Sequence, residues 1–131
     1  MKKILLKNAN LVLENKIEKA TVLLCEDKIE KIFSKDSDLS QITYDELIDL
    51  EGKYLGPAFV DVHVHGADGA DAMDIDEEAL RRISKYLAKE GTANFLVTTL
   101  TSTKDELKRV LEIAGKLQNK EIDGANIFGV H

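Results

Sequence analysis

Two histidines stand two positions apart in an apolar segment of this sequence, the run Val60 to His65. If the run is a strand, alternate side chains point to opposite faces, so that Asp61, His63 and His65 share one face. The other face carries Val60, Val62 and Val64, which suit a strand packed beneath helices. Polar groups on the inner face need partners, because a buried unpaired polar group costs about 1–3 kcal/mol. Imidazole is a common ligand of Zn²⁺ and Fe²⁺, so the spacing predicts a divalent metal held by His63 and His65.

Several readings of this stretch stay open at the level of sequence. The two histidines can instead be satisfied by hydrogen bonds without a metal. Asp61 is a candidate acceptor that orients one imidazole, or else a hydrogen-bonded residue of the fold. Gly66 and Gly69 can let a loop approach a substrate or can simply form turns, and G-A-D-G-A-D is not the G-x-G-x-x-G phosphate fingerprint. Asp71 is a candidate substrate contact or a residue that holds the loop.

Composition narrows the class of protein. The 131 residues are 44% hydrophobic and 32% charged, as in a globular protein of one ordinary domain. A net charge of −6 without a basic cluster argues against nucleic acid or an anionic membrane as partner. Cys25 is the single cysteine, which excludes an internal disulfide and a thiolate metal site. No apolar run approaches the roughly 20 residues of a membrane span, and no signal peptide is recognisable, so we expect a cytoplasmic location.

The first 55 residues predict a small antiparallel β unit. Short apolar runs alternate with polar connections, which we place at Asn8-Ala9-Asn10, Glu14-Asn15-Lys16 and Glu26-Asp27-Lys28. Residues 36–43 are expected to form a surface loop, and Leu47 to Leu50 a further short strand.

In residues 56–131 short apolar runs alternate with segments of helical spacing, which predicts a β-α-β-α-β order. Strands are expected near 58–65, 94–99 and 126–131, and helices near 76–90 and 103–118, each helix opened by a capping signal. Right-handed crossovers would make these strands parallel and cover them with helices. Thr98, Thr99 and Thr101 would lie at the carboxyl end of the second strand. The residues expected to be buried on the helices are Ala79, Leu80, Ile83 and Leu87, then Leu107, Val110, Leu111, Ala114 and Leu117.

The segment GPAFVDVHVHG resembles the first barrel strand of the amidohydrolase superfamily, with its pattern G-P-x-hydrophobic-hydrophobic-D-x-H-x-H. The continuations GADGADAMD, EGTANFLVTTLTS and GVH are most similar to the N-acetylglucosamine-6-phosphate deacetylases. D-x-H-x-H alone would fit dihydroorotases, allantoinases and ureases equally well.

The resemblance implies a fold and a site. Residues 1–55 would belong to an incomplete β-sandwich, and residues 56–131 would begin a metal-dependent (β/α)₈ TIM barrel. Such a barrel needs roughly 250 residues, so the chain would be an N-terminal fragment with three of eight strands. His63 and His65 match the motif as metal ligands, for one or two Zn or Fe ions. His131 matches the histidine of the family's H-x-E-G-P segment, and the catalytic residues are expected beyond it.

The activity implied is the removal of acetate from N-acetylglucosamine 6-phosphate, which gives glucosamine 6-phosphate. The resemblance further implies a sugar-phosphate substrate and a homodimer for the intact enzyme. The alternatives are another amidohydrolase that acts on a cyclic amide, and a metal-binding fragment without activity. The loop 66–74 discriminates among the amidohydrolases, because it resembles the sugar-phosphate deacetylases.

Overall fold

The computed structural model describes residues 1–118 and 120–131, which form a mixed α/β structure of ten strands, two α-helices and one 3₁₀ turn. The chain divides into two compact units, Met1–Pro57 and Ala58–His131. Among the described residues, none of the helices is both long and apolar enough to cross a membrane.

The first unit is one five-stranded sheet. Strands β1 (Lys3–Val12), β2 (Ile17–Cys25) and β3 (Lys28–Ser34) pair antiparallel in the order β3-β2-β1. Two short strands, β4 (Glu46–Asp49) and β5 (Tyr54–Leu55), pair with β1 in parallel. The prediction of a purely antiparallel unit is therefore wrong, because the chain after β3 returns to lie beside β1 in the same direction.

The connection predicted at Asn8-Ala9-Asn10 is also wrong, since these residues lie inside β1. The pairing of β1 with β2 shifts register between Leu6 and Ala9, and Asn8 adopts a positive φ of 57°. Asparagine tolerates this left-handed conformation better than most residues, so the strand absorbs an irregularity where the sequence suggested a turn.

Apolar clusters lie on both faces of this sheet. Leu5, Leu23 and Phe33 form one cluster, and the neighbouring residue Val22 joins Leu11 and Ala20 in another. Since adjacent residues of a strand point to opposite faces, the continuous apolar run of β2 serves both faces. Residues 36–43 were predicted to form a surface loop. This is only partly correct, because Leu39 and Ile42 pack against the first cluster.

The elements of the second unit, in chain order, are β6 (Phe59–Val64), β7 (Gly66–Ala67), β8 (Ala70–Asp71), a 3₁₀ turn (Ala72–Asp74), α1 (Glu77–Lys89), β9 (Thr92–Val97), α2 (Lys104–Leu117) and β10 (Asn126–Val130). Three of the strands form a parallel sheet with the order β10-β9-β6. Strands β7 and β8 form a small antiparallel hairpin.

The helices begin where side chains cap them. The Asp76 carboxylate accepts from the Glu78 backbone N–H at the start of α1, and Thr103 forms a capping box with Glu106 at the start of α2. The predicted stripe of α1 is buried, as are Val110, Ala114 and Leu117 of α2. Leu111 is 52% exposed, and its predicted burial is wrong. It lies one position, or about 100°, away from the buried row.

The alternation predicted for β6 breaks within the strand. Asp61 pairs with Phe95 and Val64 with Val97, so three steps along β6 match two along β9. Val64 packs against the core cluster, whereas Val60 and Val62 are 57% and 60% exposed. The prediction that all three valines lie beneath helices is therefore wrong. Helix α1 packs against β7, β8 and β9, and α2 against β10.

Candidate metal site

The carboxyl ends of the three parallel strands are tied together by backbone hydrogen bonds. The N–H of Thr98 donates to the Val64 carbonyl at 2.9 Å, and the N–H of His131 donates to the Val97 carbonyl at 2.9 Å. Thr99 N–H in turn donates to the His131 carbonyl at 3.1 Å. Ligands gather at this end of parallel sheets, because loops and side chains from neighbouring strands converge there.

His63 and His65 bring their rings together at this end. Their Nε2 atoms are 3.2 Å apart, and the two ring planes lie 79° from each other with centroids at 5.0 Å. The ring of His131 lies against that of His63, with centroids 4.7 Å apart. The structure therefore brings together the three histidines that the sequence singled out.

A backbone carbonyl determines which nitrogen of His65 carries hydrogen. Nδ1 of His65 lies 3.2 Å from the carbonyl oxygen of Thr98. A carbonyl oxygen can only accept, so Nδ1 is the donor and Nε2 of the neutral ring keeps its lone pair. This is the arrangement in which a histidine binds metal, with its second nitrogen bonded to a carbonyl.

The geometry of the pair fits a metal ion. Two nitrogens that each lie about 2.0–2.1 Å from a tetrahedral zinc stand roughly 3.3 Å apart. The observed Nε2–Nε2 separation of 3.2 Å is close to that value. The same distance is that of a hydrogen bond between the two rings, so the pair is also satisfied without a metal. Within residues 1–118 and 120–131, however, no group of three or more His, Cys, Asp or Glu side chains could hold an ion. The described residues thus offer two candidate ligands, whereas a catalytic zinc needs three from protein.

Asp61 acts on the backbone of the motif in this structure. Its Oδ1 accepts a hydrogen bond from the His63 N–H at 3.0 Å. Asp61 pairs with the buried Phe95 of β9. The register shift between Asp61 and Val64 interrupts the regular alternation that would place Asp61 on the same face as the histidines. Its predicted part in orienting an imidazole stays a prediction.

Gly66 follows His65 in a place that only glycine fits. A Cβ there would overlap the carbonyl oxygen of Ala70, because β7 and β8 close tightly on each other. Asp68 and Gly69 form the turn between these strands, with φ values of 52° and 74°. Two positive φ values in a two-residue hairpin turn are typical of Asp-Gly, so this dipeptide is the sequence signal for the hairpin. Of the two alternatives for Gly66 and Gly69, the structure therefore supports the one in which they form a turn.

Asp71 holds the end of this hairpin. Its carboxylate accepts from the Met73 N–H at 2.8 Å, while its own N–H donates to the Asp74 carboxylate at 2.9 Å. The carbonyl of His65 accepts from the Ala72 N–H at 2.7 Å, so the capped turn is bonded directly to the histidine motif. Of the two readings for Asp71, the structure supports the one in which it holds the loop. Substrate contacts by Gly66, Gly69 and Asp71 stay predictions.

One contact that positions β10 carried no sequence signal. Ser84 of α1 is fully buried, its hydroxyl donates to the Ala125 carbonyl at 2.6 Å, and its carbonyl accepts from the Ala125 N–H at 3.0 Å. Gly124 lies so close to Ser84 that a Cβ would overlap it. Beside this contact the Lys85 ammonium, 2.8 Å from the Asp123 carboxylate, lowers the pKa of Asp123. A serine on a helix gives no indication of a bond to a distant loop.

Individual proteins resemble this chain in sequence, although no family model matches it. The N-acetylglucosamine-6-phosphate deacetylase of Lysinibacillus sphaericus is 32% identical over 111 residues, which are 80% of this chain and 29% of that protein. A dihydroorotase of Caldicellulosiruptor saccharolyticus is 42% identical over 64 residues, which are 47% of this chain and 14% of that protein.

Solved structures agree with these relatives. The N-acetylglucosamine-6-phosphate deacetylase of Pasteurella multocida has a TM-score of 0.75 at 22% identity, over 87% of this chain and 30% of that one. The corresponding enzyme of Thermotoga maritima has a TM-score of 0.70 at 25% identity, over 97% of this chain and 31% of that one. The chain spans less than a third of the length of these proteins. The predicted resemblance is confirmed: over most of its length, this chain is related to part of the N-acetylglucosamine-6-phosphate deacetylases of the amidohydrolase superfamily.

Proposed function

We propose that this chain is part of a metal-dependent hydrolase that removes acetate from N-acetylglucosamine 6-phosphate and leaves glucosamine 6-phosphate. The observation that carries the proposal is the His63–His65 pair, whose Nε2 atoms lie 3.2 Å apart at the carboxyl end of parallel strands. The 32% identity to a deacetylase over 80% of the chain supports the choice of substrate.

In this proposal the chain contributes binding and orientation. His63 and His65 would hold a divalent ion, Zn²⁺ or Fe²⁺, through Nε2, with His65 oriented by the Thr98 carbonyl. Such an ion, when bound, supplies an acidified water and polarises the amide carbonyl. The hairpin after His65 would border the sugar, with Gly66, Gly69 and Asp71 as its candidate contacts. The proton carrier and the remaining ligands would come from other residues of the enzyme.

The fold proposed for the whole enzyme is a (β/α)₈ barrel that begins with β6, β9 and β10. Its support is the parallel order of the three strands and the helices α1 and α2 between them. Val60, Val62 and Phe128 are exposed on the sheet strands, as expected if further strands are needed to cover them. The sheet of residues 1–57 would be part of the accompanying β-sandwich. The cytoplasmic location and the homodimer stay predictions.

A second candidate is a hydrolase of cyclic amides. The observation in its favour is the 42% identity to a dihydroorotase, although this match covers only 47% of the chain. The deacetylase match is longer and includes more of the chain outside the histidine motif. An inactive metal-binding fragment is the third reading.

The test is hydrolysis by the purified full-length protein, loaded with Zn²⁺ or Fe²⁺. We expect acetate release from N-acetylglucosamine 6-phosphate, and much slower hydrolysis of dihydroorotate and of hydantoins. The reverse preference would replace the deacetylase with the cyclic amide hydrolase. Residues 1–131 expressed alone should release no acetate, because two ligands without a proton carrier do not complete the site. Turnover by that piece, lost in His63→Gln, would overturn this expectation.

A further inference from the structure

Thr98 is a buried polar residue whose hydrogen bonds converge on the histidine motif. It follows β9 directly and is 2% exposed, so its polar groups must be satisfied by protein atoms. Its N–H donates to the Val64 carbonyl at 2.9 Å, and its hydroxyl accepts from the Val64 N–H at 3.0 Å. Its carbonyl accepts from Nδ1 of His65 at 3.2 Å. One residue therefore bonds both the backbone between the two histidines and the ring of one of them.

The Thr98 hydroxyl bonds to β6 where the pairing of that strand is irregular. The register with β9 shifts between Asp61 and Val64, and there a side-chain oxygen of Thr98 receives the Val64 N–H. Val64 is flanked by His63 and His65, so a movement of its backbone displaces both Cα atoms. Movements of even a few tenths of an ångström matter at a metal site, where ligand distances vary by only about ±0.2 Å.

We propose that Thr98 is a positioning residue for the metal ligands, in which the hydroxyl sets the backbone of Val64 and the carbonyl sets the ring of His65. The inference rests on the proposed function, because it gives Thr98 a role in a metal site at His63 and His65. It goes further in assigning the geometry of that site to a residue of the neighbouring strand.

Two substitutions separate the hydroxyl from the shape of the side chain. Thr98→Val keeps the β-branched shape but leaves the Val64 N–H without the hydroxyl, and we expect metal affinity to fall about 10–100-fold. Thr98→Ser keeps the hydroxyl and should restore most of the affinity. Thr92→Val is the matched control, because Thr92 is the other buried threonine of this strand region, at the opposite end of β9. It should leave metal affinity unchanged.

The measurement is calorimetric titration of the metal-free full-length protein with Zn²⁺, accompanied by the absorption spectrum of the Co²⁺ form. Urea unfolding of each variant reports whether the fold is intact. Wild-type affinity in Thr98→Val, or an equal loss in Thr98→Val and Thr98→Ser, would overturn the role of the hydroxyl.

A second measurement needs no variant at Thr98. Long-range ¹H–¹⁵N spectra of the metal-free wild-type protein should show His65 with hydrogen on Nδ1, and the other tautomer would contradict the role of the carbonyl. The double variant His63→Gln, His65→Gln separates this inference from the proposed function. If that variant binds Zn²⁺ as the wild type does, the metal site itself is wrong. If it loses binding while Thr98→Val retains it, only the role of Thr98 falls.

Discussion

Asn8 and Asn10 in the first unit repeat the spacing of His63 and His65 in the second. In each case one apolar residue separates two polar ones within a strand or at its end. The first member of each pair, Asn8 or His63, also lies where strand pairing is irregular, between Leu6 and Ala9 in β1 and between Asp61 and Val64 in β6. The local patterns are alike, but the surroundings differ.

The asparagines are bonded to the end of β4 and to the turn that follows it. Nδ2 of Asn8 donates to both carboxylate oxygens of Asp49, at 2.9 and 2.8 Å, and Nδ2 of Asn10 donates to the Gly52 carbonyl. The backbone carbonyl of Asn8 accepts from the Gly52 N–H at 2.8 Å. These bonds hold the connection between β4 and β5 against β1, so the asparagine pair has a structural role.

The histidines are arranged differently. Their Nε2 atoms lie next to each other, and the Thr98 carbonyl is bonded to Nδ1 on the other side of the His65 ring. A pair whose polar atoms are bonded to other parts of the chain stabilises the fold. A pair whose ring nitrogens meet each other can bind a cation between them when the hydrogen held there is released. Four experiments test this distinction.

The largest effect is expected on metal content. Changing both His63 and His65 to Gln should lower the metal bound by the full-length protein by about one equivalent, because the converging imidazoles are removed. Changing Asn8 and Asn10 to Ala should leave the metal content as it is. Elemental analysis after removal of free metal gives the answer. Equal content in the histidine variant and the wild type would mean that other residues alone hold the ion.

The next largest effect is expected at two glycines, Gly66, which follows His65, and Gly52, which is bonded to Asn8 and Asn10. Gly66→Ala forces a Cβ against the Ala70 carbonyl and should cost about 1–3 kcal/mol, with weaker Zn²⁺ binding because His65 is displaced. Gly52→Ala, at a φ of 80°, should cost about 1–2 kcal/mol without any effect on Zn²⁺ binding. Urea unfolding and Zn²⁺ titration measure both quantities. Gly115→Ala is the control, since the space around Gly115 is open and alanine favours the helix.

In the metal-free protein, changing the asparagines should lower the free energy of unfolding more than changing the histidines does. Asn8→Ala should cost about 1–2 kcal/mol, because it removes the bonds to Asp49 and places alanine at a positive φ. Asn8→Gly should cost less, since glycine adopts that φ without strain. The double histidine variant should stay within about 1 kcal/mol of the wild type in urea unfolding. A larger loss there would show that the histidines are structural.

The smallest effect is expected on the pH dependence of stability, through the pKa of Asp49. The backbone N–H of Glu51, followed by the Asn8 amide, holds the pKa of Asp49 below its ordinary value of 3.8. A lowered pKa in the folded protein means that the stabilisation is present above pH 3.8 and is lost as the pH falls through the lowered value. Asn8→Ala should move the pKa of Asp49 back toward 3.8. A ¹³C titration of the Asp49 carboxyl group measures the change, and no movement would exclude a bond from Asn8.

Much of the second unit could be predicted because its signals are local. The caps at Asp76 and Thr103 and the spacing of apolar residues indicated α1 and α2, which the structure has at Glu77–Lys89 and Lys104–Leu117. The first unit was harder, because a short strand such as Tyr54–Leu55 has no period of its own. Its direction depends on β1, a partner that lies more than forty positions earlier in the sequence.

In the candidate site, too, some features could be predicted from the sequence and others could not. The residue types and spacing of His63 and His65 were sufficient to predict that their rings meet. The extra residue in β6 could not be predicted, since it arises from the register with β9, and it changes the surroundings of Asp61, Val60 and Val62.

The sequence by itself determined which residues can carry chemistry and where the helices begin, because side-chain type, spacing and capping act over a few neighbouring positions. Only the tertiary structure decided what each polar group contacts. It set Asn8 against Asp49, Ser84 against Ala125 and His65 against Thr98, in each case across more than thirty positions. The physical reason is that a hydrogen bond depends on distance and direction in space, and strand register determines both.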